Sequence, residues 1–267
     1  MDRLYSCLQE IGEWSRTNLL EINEHKTDVI VFGTKQKLPT LKDFRITVGD
    51  TTRIPSSSVR NLGVVFDSSL SMTSHISTIC RTAYMHLHNI SHIRRYLTID
   101  ATKALVHAFV TSRLDYGNAL LIGLPRDQIN KLQRIQNMAA RVITFTPRRD
   151  HITPVLKDLH WLPVECRIEY KILLNVYRCL NGMAPLYLAN LLKRQSPGCT
   201  RSSEQHLLDI PRTKLASFGD RSFRVVGPRI WNALPTDIKC CGTLSAFRKA
   251  LKPIFSKHIT ADILNIQ

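Results

Sequence analysis

The sequence predicts an α+β fold in which a short strand-rich segment is followed by a longer, mainly helical one. Short apolar runs that end at glycine, asparagine or aspartate occur in the first 70 residues. After Ser74, apolar residues recur at intervals of three and four, the periodicity of amphipathic helices. The charge changes at about the same place, since residues 1–70 carry nine basic and nine acidic side chains whereas the later residues carry the whole net charge of +16. We therefore expect two regions of different composition.

The first region is predicted to contain one helix and about four strands. The helix covers residues 3–19, with apolar residues on one face, and a buried strand follows over Asp28–Gly33. Alternation from Phe44 to Val48 and a turn before Thr52 predict a hairpin. Residues 59–67 (VRNLGVVFD) are predicted to form one further apolar strand.

The remainder is predicted to be helical and basic. A long helix covers residues 76–93, the next is capped by Asp100, and later helices cover 126–146, 165–181 and 244–258. Residues 151–163, which contain two prolines, are predicted to be linker-like, and a short strand is predicted at 207–210. The expected domains are 1–70, 71–150 and 151–267, with a polar loop near 194–206.

The helix predicted at 126–146 combines an apolar face with a basic one. Pro125 precedes it, Asp127 lies in its first turn, and Pro147 follows it. Arg134, Arg141 and Arg148 are seven residues apart and would share one narrow strip, without an acid between Asp127 and Asp150. This strip is suited to a polyanion.

The overall charge points to the same class of partner. The 267 residues carry a formal charge of +16, of which +7 comes from residues 71–150 and +9 from residues 151–267. Nucleic acid is the expected partner of such a surface, ahead of an anionic membrane or an acidic protein.

Cysteine usage and hydropathy predict an intracellular protein, cytoplasmic or nuclear, that contains no membrane span. The seven cysteines form no C-x-x-C pair, so we expect reduced thiols rather than a zinc ribbon or redox motif. No run of 18 apolar residues occurs, and the acidic, amphipathic N-terminus has no secretory pattern.

The sequence contains no pattern typical of an active site. It has no Asp-Asp pair, no phosphate-binding glycine loop and no G-x-S-x-G motif. His88 and His92 have the interval of zinc ligands, but the glutamate of a metalloprotease motif is missing. We therefore predict no metal site.

Several stretches resemble the reverse transcriptases of non-LTR (LINE-type, jockey-like) retrotransposons. Residues 17–33 (TNLLEINEHKTDVIVFG) are similar to the pattern that follows the catalytic aspartates, and residues 59–67 to the primer-grip region. Residues 112–143, 148–192 and 201–235 resemble the thumb and post-thumb segments. The likeness follows the family's order over nearly the whole chain.

This resemblance implies a truncated piece of an RNA-directed DNA polymerase, made of a palm edge, a helical thumb and a tail. It would begin just after the Tyr-x-Asp-Asp motif and lack the metal-binding aspartates, so the chain alone is expected to be inactive and without a cofactor. Mg²⁺ is expected only in the full-length polymerase. Lys26 matches a possible proton donor to pyrophosphate, although a turn lysine fits equally. Leu62 and Gly63 match the primer grip, or an apolar strand with a glycine bulge.

The predicted function is sequence-independent binding of an RNA/DNA template–primer through its backbone, and a fragment carrying the catalytic palm is a second expected partner. Neither a membrane nor a small-molecule substrate is expected. The alternative is a non-catalytic helical module for protein interaction or self-association, with Trp161 and Trp231 at its interface. The residues expected to contact nucleic acid are Lys26, Leu62, Gly63, Arg81, Arg94, Arg95, Lys131, Arg134, Arg141, Arg148 and Arg149.

Overall fold

The computed structural model describes residues 2–34, 36–41, 43–49, 51–195, 206–215 and 218–261, with side chains up to residue 255. The chain divides into two compact units, Met1–His75 and Ile76–Gln267. The first contains antiparallel strand pairs and the second is helical, so the predicted α+β class is confirmed. Most of the loop predicted at 194–206 lies outside the described residues.

The first unit begins with helix α1 (Asp2–Thr17), close to the predicted bounds. Its apolar face is exposed, since Leu4, Ile11 and Trp14 all lie on the surface and Trp14 is 61% exposed. The strands β1 (Ile46–Val48) and β2 (Thr51–Arg53) form the predicted antiparallel hairpin. Periodicity therefore identifies the helix but not whether a neighbour covers its face.

Residues 59–67 form a hairpin, so the prediction of a single strand was wrong. Strands β3 (Ser58–Asn61) and β4 (Val64–Asp67) pair antiparallel, and Asn61 lies opposite Val64. Leu62 and Gly63 make the two-residue turn, with φ values of 46° and 84°. Positive φ at both central residues is the geometry that matches the twist of a hairpin. A leucine at the first turn position hid this signal in the sequence.

Residues 28–33 form no strand, which corrects a second prediction. The segment is extended and hydrogen-bonded at its two ends, where Ser56 N–H donates to Val29 O (2.7 Å) and Gly33 N–H donates to Ser68 O (3.0 Å). Phe32 packs edge-on against Phe66 at 6.4 Å between ring centroids. An apolar run becomes a strand only where a neighbouring strand completes its ladder.

The turn after β4 is organised by one carboxylate. Asp67 accepts hydrogen bonds from the backbone N–H groups of Ser69 (3.2 Å), Ser71 (2.9 Å) and Met72 (2.7 Å), and from the hydroxyl of Ser69 (2.7 Å). Burial alone would raise the pKa of Asp67, but the hydrogen bonds from Ser69, Ser71 and Met72 lower it overall. These bonds direct the chain into helix α2 (Thr73–Ile93).

Helix α2 confirms the long helix predicted at 76–93, with Ile76, Ala83 and Leu87 fully buried. A 3₁₀ turn (Arg94–Tyr96) follows it. The next helix has three parts: α3 (Ile99–Val106), a π-helical turn (His107–Thr111) and α4 (Ser112–Asp115). Its N-cap is Thr98, whose hydroxyl accepts from Ala101 N–H (3.2 Å). The assignment of Asp100 as the cap was wrong, because Asp100 lies in the first turn.

Three helices on the two sides of residue 150 pack within the second unit. They are α5 (Arg126–Thr144), α6 (Ile152–Asp158) and α7 (Val164–Leu180). Two glutamines of α5 connect them: Gln133 Oε1 accepts from Val164 N–H (2.8 Å) and Gln136 Nε2 donates to Leu162 O (2.8 Å). The linker-like interpretation of residues 151–163 was wrong, since Leu156 is fully buried.

The end of the chain completes the core of the second unit. Helices α8 (Leu186–Ala189), α9 (Phe223–Asn232), α10 (Thr236–Lys239) and α11 (Leu244–Ala261) follow α7. Phe247 stacks on Tyr177 at 4.4 Å and lies 5.8 Å from Trp231, measured between ring centroids. The strand predicted at 207–210 is instead an isolated bridge between Arg194 and Leu208. In the part of the chain that the structure describes, no helix is both long and apolar enough to cross a membrane.

Candidate nucleic-acid interface

Helix α5 carries its apolar and basic side chains on different faces. Ile129, Leu132 and Ile135 are buried in its apolar face, together with Ala139 and Ile143. At 100° per residue, Lys131, Arg134 and Arg141 share one side of the helix over about 15 Å. Arg134 is exposed, whereas Lys131 and Arg141 are half-buried. This side of α5, named here the basic face, is therefore defined by Lys131, Arg134 and Arg141.

Arg148 lies outside the helix, which corrects the predicted strip of Arg134, Arg141 and Arg148. The helix ends at Thr144 because Phe145 adopts a left-handed conformation with φ of 57°. Arg148 and Arg149 follow in an exposed turn. They extend the positive charge beyond the end of α5 rather than along it.

Arg94 is a structural side chain, and its burial argues against the predicted contact with nucleic acid. It is only 7% exposed. Its guanidinium donates to the carbonyls of Val142 (3.0 Å) and Ile143 (2.8 Å) at the end of α5, and to Leu97 O (2.9 Å). A cation placed there satisfies carbonyls that lack helical partners and opposes the negative end of the helix dipole. Because Nε and both Nη atoms of Arg94 already donate to backbone carbonyls, little of this guanidinium is left for a ligand.

Arg141 also holds backbone in place. Its guanidinium donates to Pro147 O and, at 2.7 Å, to Asp150 O. The turn that carries Arg148 and Arg149 is thus folded back on α5. Arg149 pairs with Asp150 at 3.8 Å, an exposed ion pair of little energetic value.

Two exposed aromatic rings lie beside these arginines, and neither was predicted from the sequence as part of the interface. Tyr96 is 74% exposed and Phe145 is 63% exposed. The Arg95 guanidinium lies 4.7 Å from the Tyr96 ring centroid, and that of Arg94 lies 4.2 Å from the Phe145 centroid. The available signal was the position of each aromatic residue next to a pair of arginines, in RRY and FTPRR.

Lys131 of the basic face acts electrostatically on a thiol of α2. Burial raises the pKa of the Cys80 thiol, and the nearby Lys131 ammonium partly offsets this increase. Lys131 Nζ donates to Gln128 Oε1 (3.2 Å). Arg81 follows Cys80 and is exposed.

The predicted residues of the first unit are on the surface. Lys26 ends a 3₁₀ turn (Glu24–Lys26) and lines an open cavity of about 440 Å³ with Asp28 and Arg60. Leu62, in the hairpin turn, is 84% exposed. The structure therefore places Lys26, Leu62 and Gly63 in turns, and the glycine-bulge interpretation of Gly63 was wrong because β3 and β4 pair without a bulge.

Some cations of the second unit have acidic partners. In the described ranges, ion pairs join Lys103 to Asp100, Arg149 to Asp150 and Arg167 to Asp115. Within the same ranges, no three His, Cys, Asp or Glu side chains form a group that could hold a metal ion. The arrangement presents positive charge and exposed aromatic surface.

Comparison with known proteins gives no match: no family model, no curated protein and no solved structure corresponds to this chain.

Proposed function

We propose that the second unit binds the phosphate backbone of a template–primer duplex without sequence preference. The observation that carries this proposal is the basic face of α5 together with the exposed arginines next to it. Arginine recognises phosphate oxygens through paired N–H donors, and backbone contacts position a protein without reading base sequence. The proposed contacts are Arg81, Arg95, Lys131, Arg134, Arg148 and Arg149.

The proposal gives this unit the role of the thumb of a non-LTR retrotransposon reverse transcriptase, in keeping with the sequence resemblance. The chain contains no Asp-Asp pair, so we expect it to hold a primer and not to extend it. Primer extension with the chain alone and Mg²⁺ should yield no product. Within this proposal Lys26, Leu62 and Gly63 contribute only when a catalytic palm is present. The location would be intracellular, cytoplasmic or nuclear.

Salt dependence tests the proposal directly. Anisotropy of a labelled RNA/DNA duplex should show the logarithm of the affinity falling with the logarithm of salt at a slope of roughly −4 to −5, if about five phosphates are neutralised. The double variant Arg134→Ala with Arg148→Ala should make the slope shallower by roughly 2.

The matched control is Arg224→Ala with Arg229→Ala, which removes the same charge from exposed positions of α9. This control should leave the slope nearly unchanged. A wild-type slope near zero, or equal effects of the two double variants, would contradict backbone binding through the proposed face.

The alternative is a protein-interaction or self-association module, and one observation favours it. The apolar face of α1 is exposed, whereas the predicted interface residue Trp231 is buried in the core and donates to His206 O (2.9 Å). Such a module would therefore use Ile11 and Trp14 rather than Trp231. Light scattering before and after nuclease treatment separates the alternatives, because only protein-mediated oligomers survive nuclease.

A further inference from the structure

Two aromatic rings stand at one end of the basic face, where the segments after α2 and α5 meet. The Arg94 guanidinium donates to Leu97 O at 2.9 Å and to Ile143 O at 2.8 Å. One planar group therefore links the residue after Tyr96 to the residue two positions before Phe145. Both rings keep most of their surface exposed.

The position of Phe145 is unfavourable for a bulky residue. A φ of 57° at the residue after a helix is the conformation in which glycine is common, because a Cβ atom is strained there. The ring keeps most of its surface exposed, so only its contact with the Arg94 guanidinium, and not burial, offsets this strain. A strained and exposed aromatic residue is a reason to look for a ligand.

The surroundings of the rings indicate the chemistry of that ligand. Arg95, Arg148 and Arg149 are exposed in the same two segments as Tyr96 and Phe145. Aromatic rings interleaved with arginines are typical of surfaces that bind single strands, where bases stack on rings and phosphates lie near cations. In a duplex, neighbouring base pairs cover the faces of the bases, so only an unpaired or terminal base can stack.

We propose that Tyr96 and Phe145 stack on unpaired bases of a nucleic-acid strand whose phosphates are held by Arg95, Arg148 and Arg149. This inference rests on the proposed function, because it extends the backbone-binding surface from a duplex to the single strand that leaves it. The surface would bind a junction between duplex and single strand more tightly than a blunt duplex.

The test compares one single-stranded oligonucleotide with a blunt duplex of the same length, using the full chain and anisotropy. Phe145→Gly and Tyr96→Ala should each weaken binding of the single strand roughly tenfold and change duplex binding less than about twofold. Phe145→Gly should melt close to the wild-type temperature, since the strain that glycine relieves offsets the lost contact with Arg94. Tyr187→Ala, which removes an equally exposed ring from α8, is the control and should change neither affinity.

Photocrosslinking with 5-iodouracil in the single strand provides a second measurement, and the crosslinks should map to Tyr96 or Phe145. If both nucleic acids bind with steep salt dependence but the ring variants weaken both equally or neither, the stacking inference is wrong and backbone binding stands. If neither nucleic acid binds in a salt-dependent manner, both proposals fail. Polyglutamate serves as a competitor for the labelled single strand. If it competes as well as unlabelled single strand does, and this competition is lost in the ring variants, the surface recognises an acidic protein and the stacking inference is wrong.

Discussion

The two compact units differ in charge and in how they bury apolar side chains. Residues 1–75 are formally neutral, whereas residues 76–267 carry the whole net charge of +16. In the described part of the first unit, the buried hydrophobic side chains are Ile46, Val64 and Met72. The second unit buries aromatic and aliphatic side chains from most of its helices. The first unit is therefore held mainly by turns and hairpins, and the second by a core.

The basic side chains of the second unit fall into two groups according to what each one contacts. In the second unit, Arg94, Arg141 and Arg221 donate to backbone carbonyls, and Arg221 Nε reaches Ile122 O at 2.9 Å. Arg95 and Arg148 instead project to solvent. Neighbouring arginines such as Arg94 and Arg95 thus have different roles, which a charge count alone does not separate.

The largest expected effect comes from the core of the second unit. Phe247→Ala should lower the free energy of unfolding by about 3–5 kcal/mol, because it removes a fully buried ring that packs on Tyr177 and Trp231. Denaturant unfolding followed by helical circular dichroism measures the change. Tyr187→Ala should stay within about 0.5 kcal/mol. A loss below about 1 kcal/mol for Phe247→Ala would show that this core does not support the second unit.

Arg94 and Arg95 form the next comparison. Arg94→Met should cost about 2–3 kcal/mol of stability, since it leaves buried carbonyls of Val142 and Ile143 without a donor. Arg95→Met should change stability by less than about 0.5 kcal/mol and make the salt slope of duplex binding shallower by roughly 1. Thermal unfolding and anisotropy together give both readouts. Equal destabilisation by the two changes would contradict the division into structural and exposed arginines.

Asp67 tests the dependence of the first unit on turn hydrogen bonds. Its folded pKa lies below the ordinary value of 3.8, so the stabilisation is fully present above pH 3.8 and is lost as the pH falls through the folded pKa. Asp67→Ala should cost about 1 kcal/mol at neutral pH and remove this acid dependence. Unfolding measured across acidic pH checks the sign, with the exposed Asp43→Ala as control. Acid sensitivity that persists in Asp67→Ala would assign the effect to other groups.

The smallest effect is expected at the β3–β4 turn. Leu62→Asn should raise stability by about 0.5 kcal/mol, because asparagine tolerates positive φ and the exposed leucine side chain loses little packing. Leu62→Val should lower stability instead, since a branched Cβ disfavours this conformation. Denaturant midpoints of the two variants measure the difference. The same direction of change for both would argue against a turn that depends on positive φ.

Local patterns were sufficient for the long helices and for the uneven charge, but not for the short helix α6. The stripes through Ile76 and Leu87 in α2 and through Ile129 and Ile135 in α5 follow directly from 3.6-residue periodicity, and both helices are confirmed. The candidate interface was predicted only in part. Arg134 and Arg148 are exposed as expected, whereas Arg94 is internal and the two aromatic rings were missed.

The remaining features depend on contacts between distant residues, which local patterns do not encode. The burial of Arg94 requires the end of α5, 48 residues further along the chain, to lie beside it. Residues 28–33 lack a strand because no neighbouring strand completes their ladder, although their composition favours one. Helical periodicity depends on residues three and four positions apart, and net charge is a sum over the sequence, so the sequence alone could determine the long helices and the charge. Which arginines are exposed was decided by tertiary packing, because hydrogen-bonding partners are set only when the segments meet.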